Sequence, residues 1–260
     1  MKLTFFSPLW ALSLCFHLHC GALLPTLNIG MELSYPPFET IGPEGKPCGV
    51  SVELAHALGK YLDRPVVIQN IPFVGLIPAL QTGKIDLIIS SMTVTEERQK
   101  AIDFSEPYLT TGLCLLISSK SDLQSIAQAN EKERMMVVKT GTSGEIYAKA
   151  HLDKAHIIVM DKEALCVLEV VQGKADAFIY DQFSVLANWQ KNLKTTRMQL
   201  KPFKLESWAM GIKKGNDVLR SKVDAFIAEF RQSGGFDRLG NTYLAKQKAA
   251  FKELGIPFVF

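Results

Sequence analysis

The stretch Ser90-Ser91-Met92-Thr93-Val94-Thr95-Glu96-Glu97-Arg98 concentrates residues able to do chemistry. Thr95 suits a helix N-cap, and Glu96 and Glu97 suit the positive end of the helix that should follow. Arg98 does not, because a cation in the first turn opposes the helix dipole. An anionic ligand would account for it. Free backbone N–H groups, a threonine hydroxyl and a guanidinium fork together hold a carboxylate well. The pattern predicts a carboxylate receptor; an Arg98 that merely pairs with Glu96 or a neighbour is the alternative. Asp181 is the second candidate, and its first reading is a helix N-cap before Gln182-Phe183-Ser184. Capping and binding are compatible in one carboxylate.

Both candidates follow predicted strands, and in open α/β sheets ligands bind beyond the carboxyl ends of strands. The apolar run 85–89, bounded by Gly83 and a polar cluster, reads as a buried strand before the arginine segment. Around it the chain predicts strands over 27–31 and 66–70 and helices over 51–62 and 74–82. Residues Val52, Ala55, Ala57, Leu58 and Leu62 form the inner face of the first helix. The run 113–117 carries the chain toward a second series: strands at 136–139, 157–160 and 177–180, with helices at 143–151 and after Asp161. Asp161 is expected to cap the latter helix, with Ala164, Leu165, Leu168 and Val171 inward and Gly173 at its end. A return strand at 208–213 and helices at 217–231 and 236–246 close the series. Alternation of this kind predicts an α/β protein with mostly parallel sheets.

Composition narrows the function. A net charge of +3 with no Lys/Arg run argues against nucleic acid. Lys2, an uncharged stretch to Leu18 and the small residues Gly21-Ala22 read as a secretory leader over 1–22, cut after Ala22. Cys20 raises a lipoprotein anchor as the alternative, although His19 before it suits a lipobox poorly. Beyond the leader remain Cys48, Cys114 and Cys166, with no CxxC and no histidine spacing for zinc. Any two of them could form a disulfide, while Cys114 and Cys166 lie in apolar runs and suit burial as small hydrophobes. No metal, cofactor or Ser-His-Asp arrangement is expected.

Five ordered segments carry a resemblance. They are Gly30-Met31-Glu32-Leu33-Ser34-Tyr35-Pro36-Pro37-Phe38-Glu39, the run from Phe73 to Asp86, and Ser90–Arg98 with Ile102-Asp103-Phe104-Ser105-Glu106-Pro107-Tyr108. Val138-Lys139-Thr140-Gly141-Thr142-Ser143-Gly144-Glu145 and Gly173-Lys174-Ala175-Asp176-Ala177-Phe178-Ile179-Tyr180-Asp181 complete the set. The chain resembles the periplasmic solute-binding proteins of the polar amino-acid uptake class, which serve ABC importers. The resemblance implies a two-lobe, Venus-flytrap α/β fold with two hinge crossings, near 110–114 and 204–208. Lobe 1 would comprise 23–110 and 208–260, and lobe 2 would comprise 111–207. It implies that Arg98 clamps the α-carboxylate of a free L-amino acid, with Thr93 and the Ser143 N–H assisting. Asp181 would take the α-ammonium, helped by the Ser91 carbonyl and the Thr93 hydroxyl; Ser90 lies in the same segment. Tyr35 and Phe73 would form aromatic jaws, and Glu32 and Lys139 would read the ligand side chain.

Two departures from the family pattern stand out: Gly49-Val50-Ser51-Val52-Glu53-Leu54 replaces Gly-Phe-Asp-x-Asp-Leu, and Pro72 replaces an acidic residue before the jaw. The implied function is a monomeric periplasmic binding protein, not an enzyme, whose partners are a free amino acid and a membrane ABC permease. A cyclohexadienyl or arogenate dehydratase on the same scaffold is the alternative, with Glu32 as its only evident acid; a sensor is a third. Glutamine is the expected ligand, its amide giving NH2 to Glu32 and C=O to Lys139. If Lys139 instead pairs directly with Glu32, a basic amino acid takes its place.

Overall fold

The computed structural model describes residues 25–258 and 260; the expected leader and Cys20 lie outside the described residues. The chain opens with β1 (Leu27–Met31), then a small antiparallel meander of β2 (Ser34–Tyr35), β3 (Glu39–Ile41) and β4 (Pro47–Cys48). Helix α1 (Val50–Tyr61), β5 (Val66–Asn70), α2 (Phe73–Gln81), β6 (Leu87–Ile88), α3 (Glu96–Ala101) and β7 (Ile102–Phe104) follow. A second series runs β8 (Leu109–Ser118), β9 (Met135–Lys139), α4 (Ser143–His151), β10 (His156–Met160), α5 (Glu163–Gln172) and β11 (Ala177–Asp181). It ends in α6 (Gln182–Lys191) and the long β12 (Thr196–Trp208). Last come β13 (Gly211–Lys213), α7 (Asp217–Gln232), α8 (Gly235–Tyr243) and α9 (Ala245–Glu253).

Two five-stranded sheets organise two lobes, in the orders β5-β1-β6-β13-β7 and β10-β9-β11-β8-β12. In the first sheet β1 lies parallel between β5 and β6, and Leu27, Ile29 and Met31 are fully buried. Burial on both faces is why this strand reads as an apolar run. In the second, β9 is parallel to β10 and β11. The sheets are mixed rather than mostly parallel, because β13, β8 and β12 return antiparallel to their neighbours.

The chain passes from sheet to sheet twice, between β7 and β8 and between β12 and β13. The residues at the expected hinge crossings are paired strands, from Leu109↔Trp208 to Leu113↔Lys204. The crossing is a two-stranded ribbon, and its end reaches the first lobe where the Val94 N–H donates to the Ser207 carbonyl at 2.9 Å. Accordingly the strand expected over 208–213 splits: Trp208 ends β12, and β13 begins at Gly211.

Three further expectations need correction. The N-cap position of α5 is Lys162, which makes no side-chain cap, rather than Asp161, whose Oδ1 accepts from Thr140 Oγ1 at 2.9 Å. The inner face of α5 is Cys166, Val167 and Val170, and Leu165 and Leu168 are each 44% exposed. Apolar residues nearly surround that helix, so periodicity could not choose a face. The final helix is two, α8 and α9, meeting at Leu244. Cys114 and Cys166 are fully buried as expected, and among the described residues Cys48, Cys114 and Cys166 are unbridged.

Candidate functional site

The carboxyl ends of β1, β6, β9 and β11 converge on one cavity between the lobes, about 450 Å³ including its mouth. Its wall contains Glu32, Tyr35, Phe73, Ser90, Ser91, Thr93, Arg98, Ser143 and Asp181, every expected ligand residue except Lys139. Glu39, Leu113, Thr142, Tyr180, Glu206 and Trp208 complete it.

Local structure explains how each side chain is aimed. Thr95 caps α3 by accepting from the Arg98 N–H at 3.2 Å, which fixes the arginine in the first turn. Its guanidinium is buried, donating from Nη1 to the Thr93 carbonyl at 2.6 Å and from Nη2 to the Gly141 carbonyl at 2.9 Å. The second contact crosses the cleft. Gly141 has φ of +74°, and a Cβ there would lie 2.7 Å from Val74 Cγ1, so glycine is required for this approach. Arg98 also stacks over Phe73 at 5.3 Å. Among the described residues it makes no ion pair, so the alternative of pairing with Glu96 does not hold. Burial lowers its pKa to about 10, opposed by the nearby Glu206 charge.

Asp181 is the N-cap that the sequence allowed, and it also lines the cavity. Its Oδ1 caps α6 by accepting from the Phe183 and Ser184 N–H groups at 2.9 and 3.1 Å. The same oxygen accepts from Tyr35 OH across the cleft at 2.6 Å. Desolvation raises its pKa to about 7 despite those donors. Tyr35 is buried and stacked on Phe38 with centroids 5.5 Å apart. Ser90 Oγ accepts from the Glu32 N–H at 3.0 Å and so positions that backbone. Ser91, at φ 48°, donates its hydroxyl to Glu39 at 3.1 Å. Glu39 also accepts from Ser51 at 2.6 Å, and burial pushes its pKa to about 8.

Lys139 behaves differently from the other candidates. Its ammonium pairs directly with Glu32 and lies 5.5 Å from the Phe73 ring, outside the inner wall. It faces an outer chamber shared with Glu32, Phe73, Asp161 and Glu163. Glu206 carries no comparable sequence signal, because it comes from the crossing ribbon rather than from a loop after a strand. Its Oε2 accepts from Thr93 Oγ1 at 3.1 Å and Ser143 Oγ at 2.8 Å, one hydroxyl from each side of the cleft. Burial raises its pKa. Tyr180 and Glu39 adjoin recognised residues, and that adjacency was the available signal for them.

The arrangement can hold a zwitterion: a guanidinium on one wall, a carboxylate on the other, and aromatic rings between. It offers no metal site; among the described residues no group of three or more His, Cys, Asp or Glu could hold an ion. Nor is any described helix long and apolar enough to cross a membrane.

Known proteins share this architecture. The L-cystine-binding protein TcyJ of Escherichia coli strain K12 is 28% identical over 219 residues, covering 84% of this chain and 82% of that protein. Among solved structures, an ancestral arginine-binding protein bound to arginine aligns with a TM-score of 0.78 at 30% identity. That alignment covers 85% of this chain and 99% of the other. The ancestral amino acid-binding protein AncCDT-1, a precursor of cyclohexadienyl dehydratase, aligns at 0.75 with 33% identity, covering 84% and 94%. The family model for bacterial extracellular solute-binding proteins, family 3, matches residues 27–246. With that match spanning most of its length, the chain belongs to the bacterial extracellular solute-binding proteins, family 3.

Proposed function

We propose that this protein is a periplasmic receptor for a free polar L-amino acid, which it delivers to a membrane ABC permease. The observation that carries the reading is Arg98, buried without an ionic partner among the described residues in the same cavity wall as Asp181. A buried guanidinium in that state calls for an anion. In this reading Arg98 and the Ser143 N–H hold the α-carboxylate. Asp181, the Ser91 carbonyl and the Thr93 oxygen hold the α-ammonium. Tyr35 and Phe73 enclose the aliphatic part, excluding water and strengthening the polar contacts. The relatives support the class: one is named for L-cystine and another holds arginine.

The working unit is a monomer with lobe 1 at 23–110 and 208–260 and lobe 2 at 111–207, exported by cleavage after Ala22. The Lys139–Glu32 pair changes the favoured ligand. Glutamine required both groups to face the side chain, but the lysine is engaged on the glutamate and stands outside the inner wall. A basic amino acid is then preferred, with glutamine next. The dehydratase alternative is weakened by the same contact, since Lys139 occupies the Glu32 carboxylate that would serve as acid.

The test is calorimetry on protein unfolded to release any carried ligand and then refolded, titrated with L-arginine, L-lysine, L-glutamine and L-glutamate. Failure to bind any free amino acid refutes the reading. Turnover of prephenate or arogenate by the same sample would replace it with the enzyme.

A further inference from the structure

The backbone at Ser91 is the strained point of the cavity wall. A residue carrying a Cβ stays at φ 48° only where its surroundings hold it there. A side-chain contact does so: Ser91 Oγ donates to Glu39 Oε2 at 3.1 Å. The same oxygen accepts from Ser51 Oγ at 2.6 Å, and Glu39 and Ser51 are both buried. Ser51 stands where the family pattern Gly-Phe-Asp-x-Asp-Leu has its first aspartate. Glu39 therefore meets a donor there instead of a second carboxylate that would repel it.

A positioning group must itself be fixed, and Glu39 is. It opens β3, and the turn before it is pinned to the start of α1. There the Val50 and Ser51 N–H groups donate to the Pro37 and Phe38 carbonyls at 3.2 and 2.8 Å. Ser91 hangs from this anchor by its hydroxyl, while its carbonyl accepts no hydrogen bond among the described residues. Relaxation of Ser91 to an ordinary backbone conformation would swing that free carbonyl away from its present direction. Burial pushes the Glu39 pKa to about 8, so near neutral pH it is mainly the uncharged acid, able to hold hydroxyls without acting as an anion.

We propose that Glu39 is a positioning residue of the ligand site, which through the Ser91 hydroxyl holds the left-handed turn that aims the Ser91 carbonyl at the ligand α-ammonium. The inference rests on the amino-acid-receptor reading and adds to it a residue that acts through another.

The readout is the ratio of affinities for an amino acid and for its deamino analogue, which lacks only the α-ammonium. Calorimetry on the refolded protein uses L-arginine, L-lysine and L-glutamine, each with its analogue, and follows the pair whose amino acid binds tightest. The unaltered protein should favour the amino acid by about 30-fold or more. In Glu39→Met, which keeps the volume and loses the acceptor, the ratio should fall about tenfold, the scale of a hydrogen bond to a charged group. Glu39→Gln, whose one oxygen can accept from both serines, should restore it to within about threefold. A residue that merely stabilised the fold would weaken both ligands alike, so an unchanged ratio in folded Glu39→Met overturns the proposal. Glu39→Gln as poor as Glu39→Met also overturns it, because charge would then act directly. If Glu39→Met does not fold, Ser91 decides. Ser91→Ala loses the hydroxyl and suits the left-handed region poorly, so its ratio should fall, whereas Ser91→Gly adopts that region freely and should keep more of it. Equal ratios in those two variants overturn the proposal and spare the receptor reading, whereas binding of none of the three amino acids defeats both.

Discussion

Asp181→Asn separates binding from folding at the centre of the site. The carboxylate does two things through different features: Oδ1 accepts from two backbone N–H groups and Tyr35, and the charge is available to an ammonium. Asparagine retains the oxygen and loses the charge. As N-caps the two residues are nearly equivalent, so α6 should be unaffected. Binding should suffer, because removing one partner of a buried charge pair costs roughly 2–5 kcal/mol, or about 30- to 5,000-fold in Kd. Stability should move the other way at high pH. Burial raises the Asp181 pKa from 3.8 to about 7. At about 1.4 kcal/mol per pH unit, ionising it in the folded state costs on the order of 4 kcal/mol, which asparagine avoids. The assays are L-arginine titration at pH 8 and thermal melting without amino acid at pH 5 and 9. The expected outcome is lost affinity and a variant more stable at both pH values, by a smaller margin at pH 5, where about 1.6 kcal/mol of the cost is already present, than at pH 9, where all of it is. Affinity within about threefold of the unaltered protein, or a variant less stable at both pH values, would refute the reasoning.

Arg98→Ala should reduce amino-acid affinity by roughly 30-fold or more, checked by calorimetry; preserved binding would remove the guanidinium from the clamp. The raised carboxyls of Asp181 and Glu39, at about 7 and 8, favour the protonated folded state. Their contribution is complete below the ordinary values of 3.8 and 4.5 and is lost as pH rises through 7 to 8, so melting temperature without amino acid should fall over that window. Affinity should rise over the lower part of the same window, as Asp181 ionises to receive the ammonium. Lys139→Met leaves Glu32 unmatched and should increase the preference for arginine over glutamine, measured by competitive titration; a reduced preference would assign Lys139 to ligand contact. Binding should also lower the radius of gyration in small-angle scattering once carried ligand is removed, and identical curves from stripped and loaded protein would count against lobe closure.

Much of this was legible because local signals and tertiary demands agreed. The Thr95 cap, the 143–151 helix and the 27–31 strand each combine pattern with punctuation, and all were found in place. Arg98 stood out because it violates a local rule, and such violations concentrate at functional sites. Two kinds of feature were hidden. Pairing across the cleft depends on how the lobes meet, so Lys139 on Glu32 could only be stated as an alternative. Glu206 lies in an extended run whose neighbours, Leu205 at 75% exposure and Ser207, give no sign of a buried carboxylate between them. Its burial comes from Thr93 and Ser143, distant in sequence by 113 and 63 positions.

The contacts that span the cleft also govern time. Lys139 to Glu32, Arg98 to Gly141, Tyr35 to Asp181, and Thr93 and Ser143 to Glu206 join the two sides through the protein's own groups. A solute arriving from outside must wait for them to part, and only the open fraction can receive it. Capture is then a gated reaction whose observed rate stops rising with solute concentration once opening becomes the slower step. Weakening any one of these ties would speed loading and unloading together. The receptor's usefulness to a transporter depends on that turnover as much as on how tightly it holds its cargo.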